Sequence, residues 1–314
     1  MTNASTSEVL KNDPNAKVST AESAFTSIAA SRKATDKVAM VFIYACMALA
    51  LVPLIWVLVE LVMRGTPSLM SAEWWTASQR GVTVGSESGG VAHAIIGTLV
   101  QAFVTTVITV PAGIFVAIYL VEYAGNSKLG QITTFMVDIL SGVPSIVASL
   151  FIYSMWVVMF GMSRSGFAVA LALVLLMLPI VVRNTEEMLR VVPNDLREAS
   201  YALGVPKWKT ISKIVLPTAL SGIVTGVMLA IARVMGESAP MLILVATSRI
   251  ITWDPFGQSQ SSLPLFMLDM YKAGNTGAAF DKMWGAALTL VFIIALINIV
   301  ARIISAKFSV KGSH

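Results

Sequence analysis

The chain has 314 residues, 56% of them hydrophobic and only 12% charged, with a mean hydropathy of +0.78; ordinary soluble domains carry about 25% charged residues, so a soluble globular protein is excluded. The formal charge of +5 does not point to nucleic acid, because the basic residues lie between apolar runs, where membrane topology accounts for them. A single cysteine, Cys46, and two distant histidines, His93 and His314, exclude an internal disulfide and offer no thiol, zinc or haem cluster.

Residues 1–37 are polar, hold five Lys/Arg and lack the apolar core and small-residue cleavage site of a signal peptide. They read as a cytoplasmic tail. A bilayer is crossed by about 20 apolar residues, and six runs qualify: 38–63, 91–121, 135–160, 166–182, 215–246 and 284–304. The pattern predicts an all-α polytopic membrane protein with six transmembrane helices, closed by a short tail, 305–314. Asp138, near the inner end of the third span, reads as an interfacial or capping acid. Arg183, at the inner end of the fourth, reads as a snorkelling topology residue and is also a candidate on a substrate path.

Between the fourth and fifth spans lies an unusually long loop, 183–213. Asp195 followed three residues later by Glu198 predicts a capping box and hence a short helix. Leu196, Ala199 and Leu203 would form its apolar stripe, and Gly204 falls where a left-handed residue ends a helix. Val205-Pro206 then opens a second helix with Trp208, Ile211 and Val215 on one face and Lys207, Lys209 and Lys213 at the surface. Such a knob suits docking on a partner or lying on lipid headgroups, and physics alone leaves both open.

The fifth run contains Arg233-Val-Met-Gly236-Glu237-Ser238-Ala-Pro240. Charge inside a membrane segment costs several kcal/mol on insertion scales, about 3 for a central Arg, so lipid exposure is excluded. Arg233 and Glu237 are spaced to share a helix face, Gly236 and Pro240 break the helix, and Ser238 is placed to cap its second half. The arrangement suits an anion at mid-membrane; a structural ion pair is the alternative.

Six spans put both termini on one side. Fifteen basic residues then share the side of the tail, against six opposite (Arg64, Arg80, Arg164, Arg249, Lys272 and Lys282) and Arg233 within a span, so both termini are expected in the cytoplasm. Trp74, Trp75, Trp253 and Tyr271 fall in external loops and read as membrane-interface anchors.

Glu198-Ala199-Ser200, Gly204 and Ile214-Val215-Leu216-Pro217 resemble the EAA loop of bacterial ATP-binding-cassette (ABC) importer permeases, with Ser200 in place of an alanine. The resemblance covers 91–304 and leaves the first span, 38–63, outside the shared core. It implies a type I ABC importer permease fold. It also implies that Asp195, Leu196, Glu198, Ala199, Ser200, Leu203 and Gly204 couple to a cytoplasmic ATPase. Together with Gly89-Gly90-Val91-Ala92-His93-Ala94, the Ser141–Val147 turn and the Arg-x-x-Gly-Glu-Ser-Ala-Pro segment, this loop resembles the phosphate-specific permeases of the PstA type more than their PstC-type sisters.

What that resemblance implies is a bacterial inner-membrane phosphate importer. Its expected partners are a second permease of the PstC type, a dimeric ATPase of the PstB type that holds ATP and Mg, and an extracytoplasmic phosphate-binding protein of the PstS type. The chain itself is expected to be no enzyme and to hold no metal or other cofactor; the sequence has no Gly-x-x-x-x-Gly-Lys-Ser/Thr loop. Arg233 would offer its planar fork to phosphate, with Glu237 holding that fork in the absence of ligand. Arg183 and Ser238 would lie on the same path. A sulfate or molybdate permease is the nearest alternative. A proton-coupled transporter using Glu237 leaves the EAA loop without a purpose, and an intramembrane hydrolase lacks a His within reach of Ser238.

Overall fold

A computed structural model describes residues 30–83, 85–245, 247–274 and 277–308, and among them every regular element is helical. The chain divides into two compact units, 1–59 and 60–314. The division falls inside the first helix, α1 (Ala30–Met70). In the first unit, residues 32–59 are exposed throughout, including Phe42, Tyr44 and Trp56; a helix apolar on all sides and exposed along its length suits lipid.

The second unit begins with the end of α1, where Glu60 pairs with Arg64 one turn on. Next come α2 (Ala72–Thr76), α3 (Ala92–Ile118) with a wide π turn over Tyr119–Tyr123, and α4 (Lys128–Ser141). α5 (Ser145–Ile152) continues through a second π turn, Tyr153–Met159, and α6 runs over Gly166–Val191. The long loop holds α7 (Asn194–Ala202) and α8 (Lys207–Thr210), the latter entering α9 (Leu216–Met235) through a π turn, Ile211–Val215. α10 (Ala239–Leu244), α11 (Leu263–Ala273) and α12 (Ala278–Phe308) complete the chain.

Five of these helices are long and apolar enough to cross a membrane, and six spans result if α4 and α5 count as one. The expected third span is therefore not straight. Gly142 ends α4, Pro144 starts α5, and the two axes meet at 105°; proline cannot continue the preceding helix. The fourth helix overruns its expected end at 182 and reaches Val191, because Arg183, Glu186 and Arg190 pair along it at i, i+3 and i, i+4. The first nine residues of the expected loop thus continue the helix of a span. Of the expected tails, 1–37 and 305–314, residues 30–37 and 305–308 continue α1 and α12 as helix, and 1–29 and 309–314 lie outside the described residues.

α3, α6 and α9 form the packed centre, with Leu173, Met177, Val181, Val227 and Ala230 buried. Lipid supplies little hydrophobic drive between spans, so close approach through small residues holds them together. A Cβ on Gly113 would sit 2.7 Å from Val181 Cγ1, and one on Gly97 would collide with the carbonyl oxygen of Ser261. At the outer end, Thr98 Oγ1 accepts from Leu263 N at 2.8 Å, pinning α11 to α3.

Of the four aromatics expected as interface anchors, Trp253 and Tyr271 are well exposed. Trp74 is not an anchor. It is 4% exposed and its Nε1 donates to Thr289 Oγ1 at 2.9 Å, while Trp75 donates to Leu69 O at 2.9 Å. Each ring ties its own segment down, the N–H finding a protein partner.

Candidate functional site

The knob formed by the two short helices is built around Arg197. Its side chain is 12% exposed and faces Glu122, at 5%, from the end of α3. Nη2 and Nε of Arg197 donate to Glu122 Oε1 at 2.9 and 3.1 Å. Nη1 donates to Val192 O at 2.7 Å and Asn194 Oδ1 at 3.3 Å, and Nη2 also reaches Leu189 O at 2.9 Å. One guanidinium thereby joins the end of α3, the end of α6 and the start of α7, and it neutralises the carboxylate it buries. Lys207 adds a second tie, donating to the carbonyl of Glu122 and lying 4.9 Å from the Tyr123 ring centre.

The short helix forms as the sequence predicts, but not by the expected cap. α7 starts at Asn194 with Pro193 before it, and no side chain caps it. Proline's fixed φ already suits a helix entry, so Asp195 sits inside the first turn, where it complements the helix dipole instead of forming a box with Glu198. Gly204 does adopt the left-handed conformation, φ +74°, and its N–H bonds to Tyr201 O at 2.9 Å.

Ser200 is the one buried residue of α7, its hydroxyl 2.8 Å from Thr210 Oγ1. It fastens the two short helices together and presents nothing outward. The expected stripe is the reverse case: Leu196 is 41% exposed, Leu203 is 83% exposed, and Ala199 and Glu198 are exposed with them. Trp208 departs from its expected face. It is 63% exposed, whereas Ile211 and Val215 are buried.

In the membrane segment the fifth span breaks as expected. α9 ends at Met235, with Gly236 at φ −90°, ψ −5°. Glu237 therefore lies beyond the helix, and it does not share a face with Arg233. Among the described residues no ion pair joins them. Arg233 is exposed and Glu237 half-buried. Ser238 precedes α10, but its hydroxyl caps nothing; only its carbonyl engages, accepting from Leu242 N at 3.2 Å.

Arg183 is no bare cation. It pairs with Asp138 of α4 and donates to Glu186 at 2.8 Å, while Glu186, at 8% side-chain exposure, also takes Arg190 at 2.7 Å. This chain of charges braces the bent α4–α5 pair against α6. Asp138 is accordingly a partner in that brace and not a cap.

Sequence reasoning missed Glu122, Arg197 and a groove of about 720 Å³ between α9 and α12, lined by Ser221, Thr225, Met228, Ala232, Asn298 and Arg302. An acid at the inner end of an apolar run, where basic residues are the rule, is the signal that could have found Glu122. The groove has the weaker signal of Ser221, Thr225, Met228 and Ala232 recurring every three or four residues on one face of α9.

Comparisons agree with this geometry. The family described as "Binding-protein-dependent transport system inner membrane component" matches residues 109–310. The phosphate transport system permease protein PstA 1 of Mycobacterium tuberculosis (strain ATCC 25618 / H37Rv) is 52% identical over 273 residues, 87% of this chain and 88% of its own length. The phosphate transport system permease protein PstA of Yersinia pestis is 40% identical over 278 residues, 88% of this chain and 92% of its own. Among solved structures, the inward-facing MetNI methionine ABC transporter superimposes with a TM-score of 0.55 at 23% identity, covering 70% of this chain and 95% of that one, which establishes the shared fold.

Proposed function

The chain belongs to the binding-protein-dependent transport permeases of the inner membrane, in their phosphate-transport branch, and from that premise we propose that it is the non-catalytic permease subunit of an ATP-driven phosphate importer. It forms half of the translocation path with a second permease. A dimeric ATPase, holding ATP and Mg, docks from the cytoplasm, and a phosphate-binding protein delivers the anion from outside. Both termini are cytoplasmic on this reading.

The observation that carries the path assignment is Arg233: an exposed guanidinium, unpaired with any acid among the described residues, at the end of an otherwise apolar spanning helix. A charge in that setting needs an anion, water or a neighbouring subunit. The fork of N–H donors fits tetrahedral phosphate, and the bare setting keeps the site weak enough to release its cargo. Glu237, half-buried past the break, sets the local charge balance, and Ser238 adds a hydroxyl to the same turn. Arg183 supports the path from the inner end by holding α4–α5.

Coupling is assigned to the knob. Leu196, Ala199 and Leu203 offer an apolar surface to the ATPase, with Glu198 at its edge. Asp195 and Gly204 define the two ends of the docking helix, and Ser200 keeps it fastened to the second. Closure of the ATPase would pass through Arg197 into Glu122 and the end of α3, and so to the spans.

Reconstitution with the second permease, the ATPase and the binding protein in liposomes tests the proposal. Uptake of labelled phosphate should require ATP and resist competition by sulfate or molybdate. Uptake of those anions instead, or phosphate uptake driven by a proton gradient without the ATPase, would overturn it. For orientation, single cysteines at Ser86 and Asn194 in a Cys46→Ala background should react and not react, respectively, with an impermeant thiol reagent on sealed spheroplasts; the opposite result inverts the topology.

A further inference from the structure

The external end of the second unit encloses a cavity of about 270 Å³ that the path described above does not use. Its polar lining is Gln79, His93, Thr247, Arg249, Ser261 and Asp269, with Phe266 beside them. Three of these side chains end in atoms sealed from solvent that find no partner: His93 Nδ1, Ser261 Oγ and Asp269 Oδ2. They come from the start of α3, the segment before α11 and the middle of α11. His93 is only 2% exposed, its ring set edge-on to Phe266 with centres 5.6 Å apart.

Sealed polar atoms without partners are unfavourable, and three around one hollow call for a polar occupant. Gln79 is committed elsewhere: it donates to Gly90 O at 3.1 Å and accepts from Lys282 Nζ at 3.4 Å. Arg249 spends one N–H on Val82 O at 3.1 Å. What remains for an occupant is a guanidinium, a hydroxyl, an imidazole nitrogen and a carboxylate oxygen.

That set is selective. The arginine and the hydroxyl donate to an oxyanion, but a carboxylate in the same hollow repels an anion with no proton to give it. It accepts a hydrogen bond from an anion that keeps one. At neutral pH inorganic phosphate keeps a proton and sulfate does not. We propose that this cavity is an outer waiting site for a protonated tetrahedral oxyanion, in which Arg249 and Ser261 hold the oxygens and Asp269 accepts a hydrogen bond from the P–OH group. The inference rests on the phosphate reading, and it adds to the permease a discrimination step ahead of Arg233.

Thr247, an exposed member of the lining, is placed to report occupancy. Thr247→Cys in a Cys46→Ala background is labelled with an impermeant thiol reagent in spheroplasts that carry the assembled importer and are washed free of binding protein. Millimolar inorganic phosphate should slow the labelling and sulfate should not. Loss of a charge-assisted hydrogen bond weakens binding by about tenfold or more, so Asp269→Asn should raise the phosphate concentration for half-protection by that factor and let sulfate protect. His93→Gln, which changes the imidazole of the lining but spares both the cation and the carboxylate, should raise the phosphate concentration for half-protection and still leave sulfate unable to protect.

Equal protection by both anions, or by neither, would overturn the site and leave a cavity that holds only water. Phosphate uptake measured after the binding protein is added back separates the two readings. Uptake with no selective protection removes the waiting site alone, whereas absence of uptake removes the importer assignment itself.

Discussion

Arg197 and Arg233 stand at opposite extremes of how this chain handles a cation. Arg197 is nearly buried and spends its guanidinium on Glu122, two backbone carbonyls and Asn194. Arg233 is exposed at the end of a spanning helix and meets no acid among the described residues. A charge satisfied within the chain is architecture; one left unpaired in a spanning helix is available to an anion, to water or to a neighbouring subunit. Arg183 falls with the first group, since Asp138 and Glu186 enclose it.

The contrast is sharpest in stability. Removing one partner of a buried ion pair strands the other charge and costs about 3–5 kcal/mol, so Arg197→Ala should lower the unfolding temperature of the detergent-solubilised complex more than Gly204→Val, Asp195→Ala or Arg233→Gln. Glu122→Gln together with Arg197→Gln should recover much of that loss. If Arg197→Ala leaves the unfolding temperature unchanged, the clamp is not structural.

A smaller cost is expected at the turn that aims the second short helix. Gly204 holds φ +74°, a region that costs a residue with a Cβ about 1–2 kcal/mol; nothing lies close enough to clash with that Cβ. Gly204→Val should therefore assemble yet transport poorly, read as uptake lost relative to ATPase turnover. Normal coupling in this variant would separate the knob from the ATPase contact. Asp195→Ala tests the corrected cap, since asparagine caps a helix as well as aspartate and would not distinguish the two roles. A charge in the first turn of a helix contributes about 0.3–1 kcal/mol, whereas a side-chain cap often contributes more. A larger loss would reinstate the capping box.

Arg233→Gln should have the smallest effect on folding, within about 0.5 kcal/mol as for an unpaired surface position, while phosphate uptake collapses. Because Glu237 does not pair with it, the Arg233→Gln/Glu237→Gln double variant should not rescue uptake. Near-normal transport by the double variant would return the two residues to a structural role and erase the contrast with Arg197.

Membrane class, helical content and the position of the break in the fifth span follow from composition and from Gly236 and Pro240, because the bilayer demands long apolar runs and proline forbids continuous hydrogen bonding. The left-handed Gly204 is equally readable, since a glycine after a short amphipathic stretch has a local cause. Which charges pair with which is not readable. Glu122 and Arg197 are 75 residues apart, and Asp138 meets Arg183 only because α4 bends away from α5 and lies against α6. The i, i+4 spacing of Arg233 and Glu237 promises a pair that the end of α9 at Met235 dissolves. Local propensity and periodicity act over a few residues and are written in the sequence. The partner of a charge depends on where distant helices cross, and only the folded chain decides that.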